Sequence, residues 1–182
     1  MRLFTGIGLP TNVTAAIEQL LQALRPLAHL KWTPVCNLHV TTKFIGEWPA
    51  DRLDEMKTAL AGVPARPPVE VHVRGVGWKP NPHSPRLFWT TVDAPALADL
   101  ARDIDAALEK LGVAREERPY TAHLTLARIK MPVPLEQVRR KIAQMESLDF
   151  GAFEAREFLL YLSEPGAAGS LYTKLAGFPF AQ

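Results

Sequence analysis

Cysteine occurs once in the 182 residues, at Cys36. No internal disulfide can form, so the stapled, secreted class is excluded, and so is a structural zinc site of the cysteine-rich kind. Long hydrophobic runs are also lacking. Nothing approaches the roughly eighteen apolar residues of a membrane span. The apolar start Met1–Pro10 is broken by Thr5, Gly6, Gly8 and Pro10 far short of a signal peptide's apolar region. A cytoplasmic protein is the expectation. Neither sign of charge dominates: 21 Lys+Arg against 19 Asp+Glu leave +2. That excludes coating of long nucleic acid by electrostatics alone, and leaves room for a local basic patch. What is present is 47% hydrophobic content, enough to exclude disorder for most of the chain and to build a core at this length.

Sixteen prolines punctuate the pattern. Arg2–Leu9 reads as a strand. Ile17, Leu20, Leu21 and Leu24 have helical spacing within Ala15–Leu24, which Pro26 ends. Lys31–Thr33 is short and extended, and Leu38–Ile45 reads as a strand closed by Gly46. Pro49 opens a helix with Leu53, Met56 and Leu60 on one face. Val69, Val71 and Val73 alternate with Glu70, His72 and Arg74 as in a half-buried strand. Three prolines in Lys79–Pro85 forbid helix and central strand there. Arg86–Val92 is again extended. A third helix follows Pro95, a strand spans Ala122–Ile129, and a fourth helix follows Pro134. Two last extended segments, Phe158–Leu162 and Leu171–Ala176, flank a glycine-rich loop at Glu164–Ser170. Runs of strands between helices fit an α+β architecture better than a regular parallel series.

The informative feature is an internal echo. Asn37-Leu38-His39-Val40-Thr41-Thr42-Lys43-Phe44 matches Thr121-Ala122-His123-Leu124-Thr125-Leu126-Ala127-Arg128, close to half the chain away, and each copy precedes a helix pattern. Side chains alternate faces along a strand, so His39 and Thr41 point one way, as do His123 and Thr125. If the two halves face each other, two imidazoles and two hydroxyls converge on one cleft. Histidine titrates near neutral pH, so one imidazole can take a proton while the other gives one. Threonine hydroxyls can donate to phosphate oxygens. Two histidines without an aspartate cluster bind magnesium poorly. One His-X-Thr could simply be a hydrogen-bonded pair in a strand; the doubling is what points to chemistry. His29, His72 and His83 lack such a context, and no short-range ligand pair suggests a zinc site.

These residues, with Arg118-Pro119-Tyr120 ahead of the second copy, Trp32, the Arg2-Leu3-Phe4 start, Gly75-Val76-Gly77 and Leu160–Ser163, resemble the 2H phosphoesterase superfamily. Within it the resemblance is to the RNA 2′,3′-cyclic phosphodiesterases, also called 2′-5′ RNA ligases. It spans nearly the whole chain. It implies a bilobal α+β (LigT-like) fold, with two pseudo-symmetric antiparallel sheets lining a central groove and helices outside. Residues 1–182 would form one catalytic domain of two pseudo-repeats. The implied activity opens a terminal 2′,3′-cyclic phosphate on RNA to a 2′-phosphate, without cofactor or metal, sometimes with reversible 2′-5′ ligation. Carried over, His39 is the proton donor and His123 the proton acceptor, roles that the sequence alone cannot assign. Thr41, Thr125 and Arg128 would hold phosphate, and Phe44 would stack a base.

Phe44 and Arg128 each lie five residues after their histidine, so a regular strand would turn both away from the groove; a bulge or twist would reconcile this. Lys43 shares the histidine's parity and is expected to add positive potential, while Arg118 and Tyr120 are expected to shape the groove. Departures from the family pattern are Tyr120 for a common phenylalanine, Ala122 for proline and Thr42 for leucine. Partners are expected to be RNA ends or oligonucleotides bearing a cyclic phosphate, with no membrane and a monomeric protein. Alternatives are a 2H enzyme for small cyclic nucleotides and a catalytically idle RNA-binding module.

Overall fold

The computed structural model describes residues 1–181, so Gln182, the end of the expected 1–182 domain, lies outside them. In chain order the elements are β1 (Arg2–Ile7), α1 (Thr11–Leu24), β2 (Lys31–Trp32), β3 (Val40–Glu47), α2 (Leu53–Ala61), β4 (Val69–Lys79) and β5 (Leu87–Asp93). They continue as α3 (Ala96–Glu109), β6 (His123–Arg128), α4 (Glu136–Ala143), β7 (Asp149–Ala155), β8 (Glu157–Gly166) and β9 (Gly169–Pro179). The strands form two antiparallel sheets, ordered β3-β1-β8-β9 and β2-β6-β5-β4-β7. The architecture is α+β, as expected.

Each helix turns one apolar stripe inward. Val13, Ile17, Leu20, Leu21 and Leu24 of α1 are buried, and this helix packs on β7 and α4. Leu97, Leu100, Ala101, Ile104 and Leu108 of α3 are buried, and this helix packs on β3, β4 and α2. The strands answer with period two: Val69, Val71 and Val73 are buried while Glu70 and Arg74 are exposed. Behind the second motif, Leu124 and Leu126 are fully buried; truncating a leucine so placed costs about 2–5 kcal/mol. The helices thus hold the inner faces of the sheets and leave the opposite faces free to line a cleft.

α1 begins at Thr11, at the helix start that Pro10-Thr11-Asn12 marks in the sequence. Two segments depart from the sequence reading. β7 carries no strong strand signal, because Gly151, Ala152 and Glu154 dilute Phe150 and Phe153; it forms by pairing with β4. The expected loop at Glu164–Ser170 is mostly a β-hairpin. Pro165 pairs with Ser170 and Gly166 with Gly169, leaving only Ala167-Ala168 as the turn, with Gly169 at φ +119°. Long-range ladder pairing overrides the glycine-rich composition there.

Candidate active site

Both His-X-Thr segments reach one cleft of about 350 Å³, lined by His39, Thr41 and Phe44 from the first and His123, Thr125 and Arg128 from the second. The two segments lie on different sheets, β3 on one and β6 on the other. His39 stands just before the first ladder residue of β3, and His123 opens β6.

A bulge in each strand produces this arrangement. On β3, Thr41 pairs with Gly6 and Lys43 with Thr5, so Thr42 is an extra residue. On β6, Thr125 pairs with Trp89 and Ala127 with Phe88, so Leu126 is the extra one. An extra residue reverses the parity of everything after it. Thr42 and Lys43 are both buried and Phe44 returns to the cleft at 54% exposure; Leu126 and Ala127 are both buried and Arg128 returns to the cleft. The bulge needed to bring Phe44 and Arg128 beside their threonines is therefore present twice. A close approach also matters: a Cβ on Gly6 would lie 2.9 Å from the Val40 carbonyl oxygen and 3.3 Å from His39 Cδ2.

The same bulge corrects the expectation for Lys43. Its ammonium does not face the groove. It is buried, donating to Asp105 Oδ1 (2.5 Å) and to the Ala114 carbonyl (2.8 Å). Tyr120 does not line the cleft either; its hydroxyl donates to the Thr41 carbonyl at 2.8 Å, and burial pushes its phenol up. Lys43 and Tyr120 thus tie the segment leading into the second motif to the strand carrying the first. Arg118 is exposed and is not a cleft residue.

The two imidazoles are held alike. His39 Nδ1 is 2.7 Å from the Asn37 carbonyl and His123 Nδ1 is 2.9 Å from the Thr121 carbonyl. A carbonyl only accepts, so each Nδ1 carries the proton and each neutral ring presents an unprotonated Nε2. His39 Nε2 is 2.8 Å from Thr41 Oγ1 and accepts its proton in that state. Burial lowers the pKa of both imidazoles; the backbone acceptors oppose this only in part. Beyond burial, His39 is lowered by His123, whereas His123 is lowered by the cations Arg128 and Lys79.

Several residues that line the cleft or pack behind its histidines went unrecognised as site residues. Phe4 packs on His39 with ring centroids 4.6 Å apart, and Tyr172 meets it edge-on at 5.4 Å. Trp89 packs on His123 at 4.5 Å, with Lys79 Nζ 4.7 Å above the indole. The Arg2 guanidinium sits 5.1 Å over the Phe44 ring. Asn37 Nδ2 donates to the Ser170 carbonyl at 2.7 Å, fastening the β8–β9 hairpin to the first motif. The Arg2-Leu3-Phe4 start was the one available signal for Arg2 and Phe4; Tyr172 and Trp89 reach the site only through strand pairing. Among the described residues, the cleft lining includes two arginines and no carboxylate, and no group of three or more His, Cys, Asp or Glu side chains is placed to hold a metal ion. Cys36 is exposed and is not a cleft residue. No helix is long and apolar enough to cross a membrane.

Paired imidazoles, paired threonines and two guanidinium groups in one cleft between two antiparallel sheets are the equipment of a phosphoesterase. The chain belongs to the LigT like Phosphoesterase family, whose model matches residues 7–89 and 91–172, one histidine motif falling in each segment. It is 30% identical over 172 residues to an RNA 2′,3′-cyclic phosphodiesterase of Methanocaldococcus jannaschii, covering 94% of this chain and 96% of that one. An RNA 2′,3′-cyclic phosphodiesterase of Archaeoglobus fulgidus is 32% identical over 179 residues, covering 98% and 99%. Among solved structures, a Thermus thermophilus protein superposes with a TM-score of 0.82 at 30% identity, covering 99% of this chain and 98% of that one. E. coli LigT complexed with 3′-AMP shares the fold, with a TM-score of 0.79 at 24% identity, covering 100% and 98%.

Proposed function

We propose that this protein hydrolyses the terminal 2′,3′-cyclic phosphate of RNA to a 2′-phosphate by acid–base catalysis between His39 and His123, with no metal ion. The observation that carries this reading is the placement of both Nε2-presenting imidazoles, Thr41, Thr125 and Arg128 on one cleft. The named activity of the relatives supports the substrate.

His123 takes a proton from water at Nε2 as the water oxygen bonds to phosphorus. The bond from phosphorus to O3′ breaks, and His39, protonated at Nε2, gives that proton to O3′. Thr41, Thr125 and Arg128 hold the non-bridging oxygens. Arg128 and Lys79 favour the neutral form of His123, which suits a base, while the charge that lowers His39 is that of a protonated His123, which is absent once His123 is the neutral base. Binding the anionic phosphate favours the protonated form of both imidazoles, so that His39 takes from solvent the proton it later gives. Attack by an RNA 5′-hydroxyl instead of water would give a 2′-5′ linkage by the same steps. The protein would act as a monomer in the cytoplasm, in RNA processing, with the two motif-bearing halves forming one catalytic unit.

The test is turnover of an oligoribonucleotide ending in a 2′,3′-cyclic phosphate, in EDTA, by wild type, His39→Ala and His123→Ala. Each substitution is expected to lower kcat by about 10²–10⁴-fold. Wild-type turnover in both variants, or loss of wild-type activity on chelation, would refute the reading.

A further inference from the structure

The cleft face of the sheet carrying His123 bears more than its motif. Residues directly opposite one another on paired strands share a face. Lys31 on β2 pairs with Arg128 on β6, Arg128 pairs with Leu87 on β5, and Leu87 pairs with Lys79 on β4. These four residues therefore form one row across the sheet, on the side where Arg128 lines the cleft and Lys79 lies over Trp89. Three of the four are cations. Like charges placed directly opposite, as Lys31 and Arg128 are, destabilise a sheet unless an anion intervenes. Some cations elsewhere, such as Arg25 and Arg66, meet carboxylates, while others, such as Arg86 and Lys130, have none among the described residues within ion-pair distance. Among the described residues, none of Lys31, Lys79 and Arg128 has a carboxylate within ion-pair distance. These three are set apart by standing in one row beside the site.

The row also leads somewhere. Lys31 and Arg2 line a second cleft of about 610 Å³ that shares Arg2, Ser163 and Ser170 with the first. Glu47 and Glu164 also line it; Glu47 lies 3.4 Å from the N-terminal ammonium. Strands are spaced about 4.8 Å apart, so the row from β2 to β4 spans about 14 Å. A stacked nucleic-acid strand advances about 3.4 Å per nucleotide. A mononucleotide's single phosphate cannot meet both ends of such a row.

We propose that Arg128 and Lys31 form a track in which Arg128 holds the terminal cyclic phosphate and Lys31, at the β2 end of the row, takes a backbone phosphate upstream of it, so that the enzyme acts better on an oligomer than on a cyclic mononucleotide. This rests on the proposed cyclic phosphodiesterase activity for its terminal phosphate, whereas the track concerns the residues upstream of it.

Two measurements test it. The first is kcat/KM on a cyclic mononucleotide and on a short oligoribonucleotide ending in a 2′,3′-cyclic phosphate, for wild type, Lys31→Ala, Lys31→Glu and a control, Lys110→Ala, at the far end of α3. The second is binding of a labelled oligoribonucleotide with a 3′-phosphate end as salt is raised, which needs no turnover. For single strands each phosphate contact contributes about 0.7 to the slope of log affinity against log salt. Lys31→Ala is expected to lower the oligomer's kcat/KM advantage over the mononucleotide, to reduce the binding slope by about 0.7, and to be exceeded by Lys31→Glu; Lys110→Ala is expected to change neither. A wild type with no preference for the oligomer, or a Lys31→Ala variant with unchanged ratio and slope, overturns the track. Wild-type inactivity on both substrates overturns the proposed activity instead, and the salt slope then still decides whether the track exists.

Discussion

Lys43 separates a reading by strand parity from one by packing, and its replacement can be worked through in numbers. Its ammonium and the Asp105 carboxylate are 5% and 11% exposed and 2.5 Å apart. Removing one partner of a buried pair leaves an uncompensated charge and costs about 3–5 kcal/mol. The two halves of the pair are not equivalent. In Lys43→Met, Asp105 keeps the backbone N–H of Glu116 at 3.0 Å and Arg115 Nε at 3.9 Å. In Asp105→Leu, Lys43 keeps only the Ala114 carbonyl. Asp105→Leu should therefore destabilise more, and Lys43→Met should fall toward the lower end of that range. The double variant Lys43→Met/Asp105→Leu should cost less than the two singles added, because no charge is stranded. For a chain of this size about 1 kcal/mol moves Tm by about 2–4 °C, so the singles should melt about 6–20 °C lower. Urea unfolding followed by tryptophan fluorescence gives the free energies; kcat/KM on the cyclic-phosphate oligomer, measured well below the transition, gives the function. Folded Lys43→Met is expected to lose less than tenfold. A loss of 10²-fold or more with unchanged stability would refute the structural role and return Lys43 to the groove.

Two pH effects follow from the lowered imidazoles. In kcat/KM, which reports the free enzyme, His123 must be neutral and His39 protonated. With both native pKa values below the ordinary 6.5, the bell should peak on the acid side of pH 6.5, and the kcat profile should extend to higher pH because bound phosphate raises His39; an alkaline limb of kcat/KM well above pH 7 would contradict this. For stability, the unfolded chain binds more protons than the native one between the lowered native values and 6.5. Unfolding free energy from these two groups should therefore be fully present above about pH 6.5 and fall as pH drops through the native values; His39→Gln/His123→Gln should flatten that part of the profile, and an unaltered profile would contradict it.

Apart from β7, the chain order of strands and helices, the inward faces of α1 and α3, and the alternation of β4 were legible because each is a local periodicity that burial enforces. The paired motifs were legible for the same reason: the i, i+2 rule holds within three residues, before any irregularity can intervene. That is why His39, Thr41, His123 and Thr125 could be placed on common faces from their spacing. β7 and the Glu164–Ser170 end of the β8–β9 hairpin were not legible, because their glycine and alanine residues carry little intrinsic preference and their ladders are imposed by strand pairing.

Local spacing alone names the reacting groups and says which of them share a side. Where parity breaks depends on how the strands pair. The bulges at Thr42 and Leu126 arise from the register against β1 and β5, strands outside the motifs themselves. One inserted residue returns Phe44 and Arg128 to the cleft and, by the same rotation, buries Lys43 against Asp105. The cationic row depends likewise on pairings among four strands, since Lys31, Lys79 and Arg128 become neighbours only when the sheet assembles. A period-two pattern records the faces of a strand, but a phase shift in that pattern exists only relative to the strand beside it.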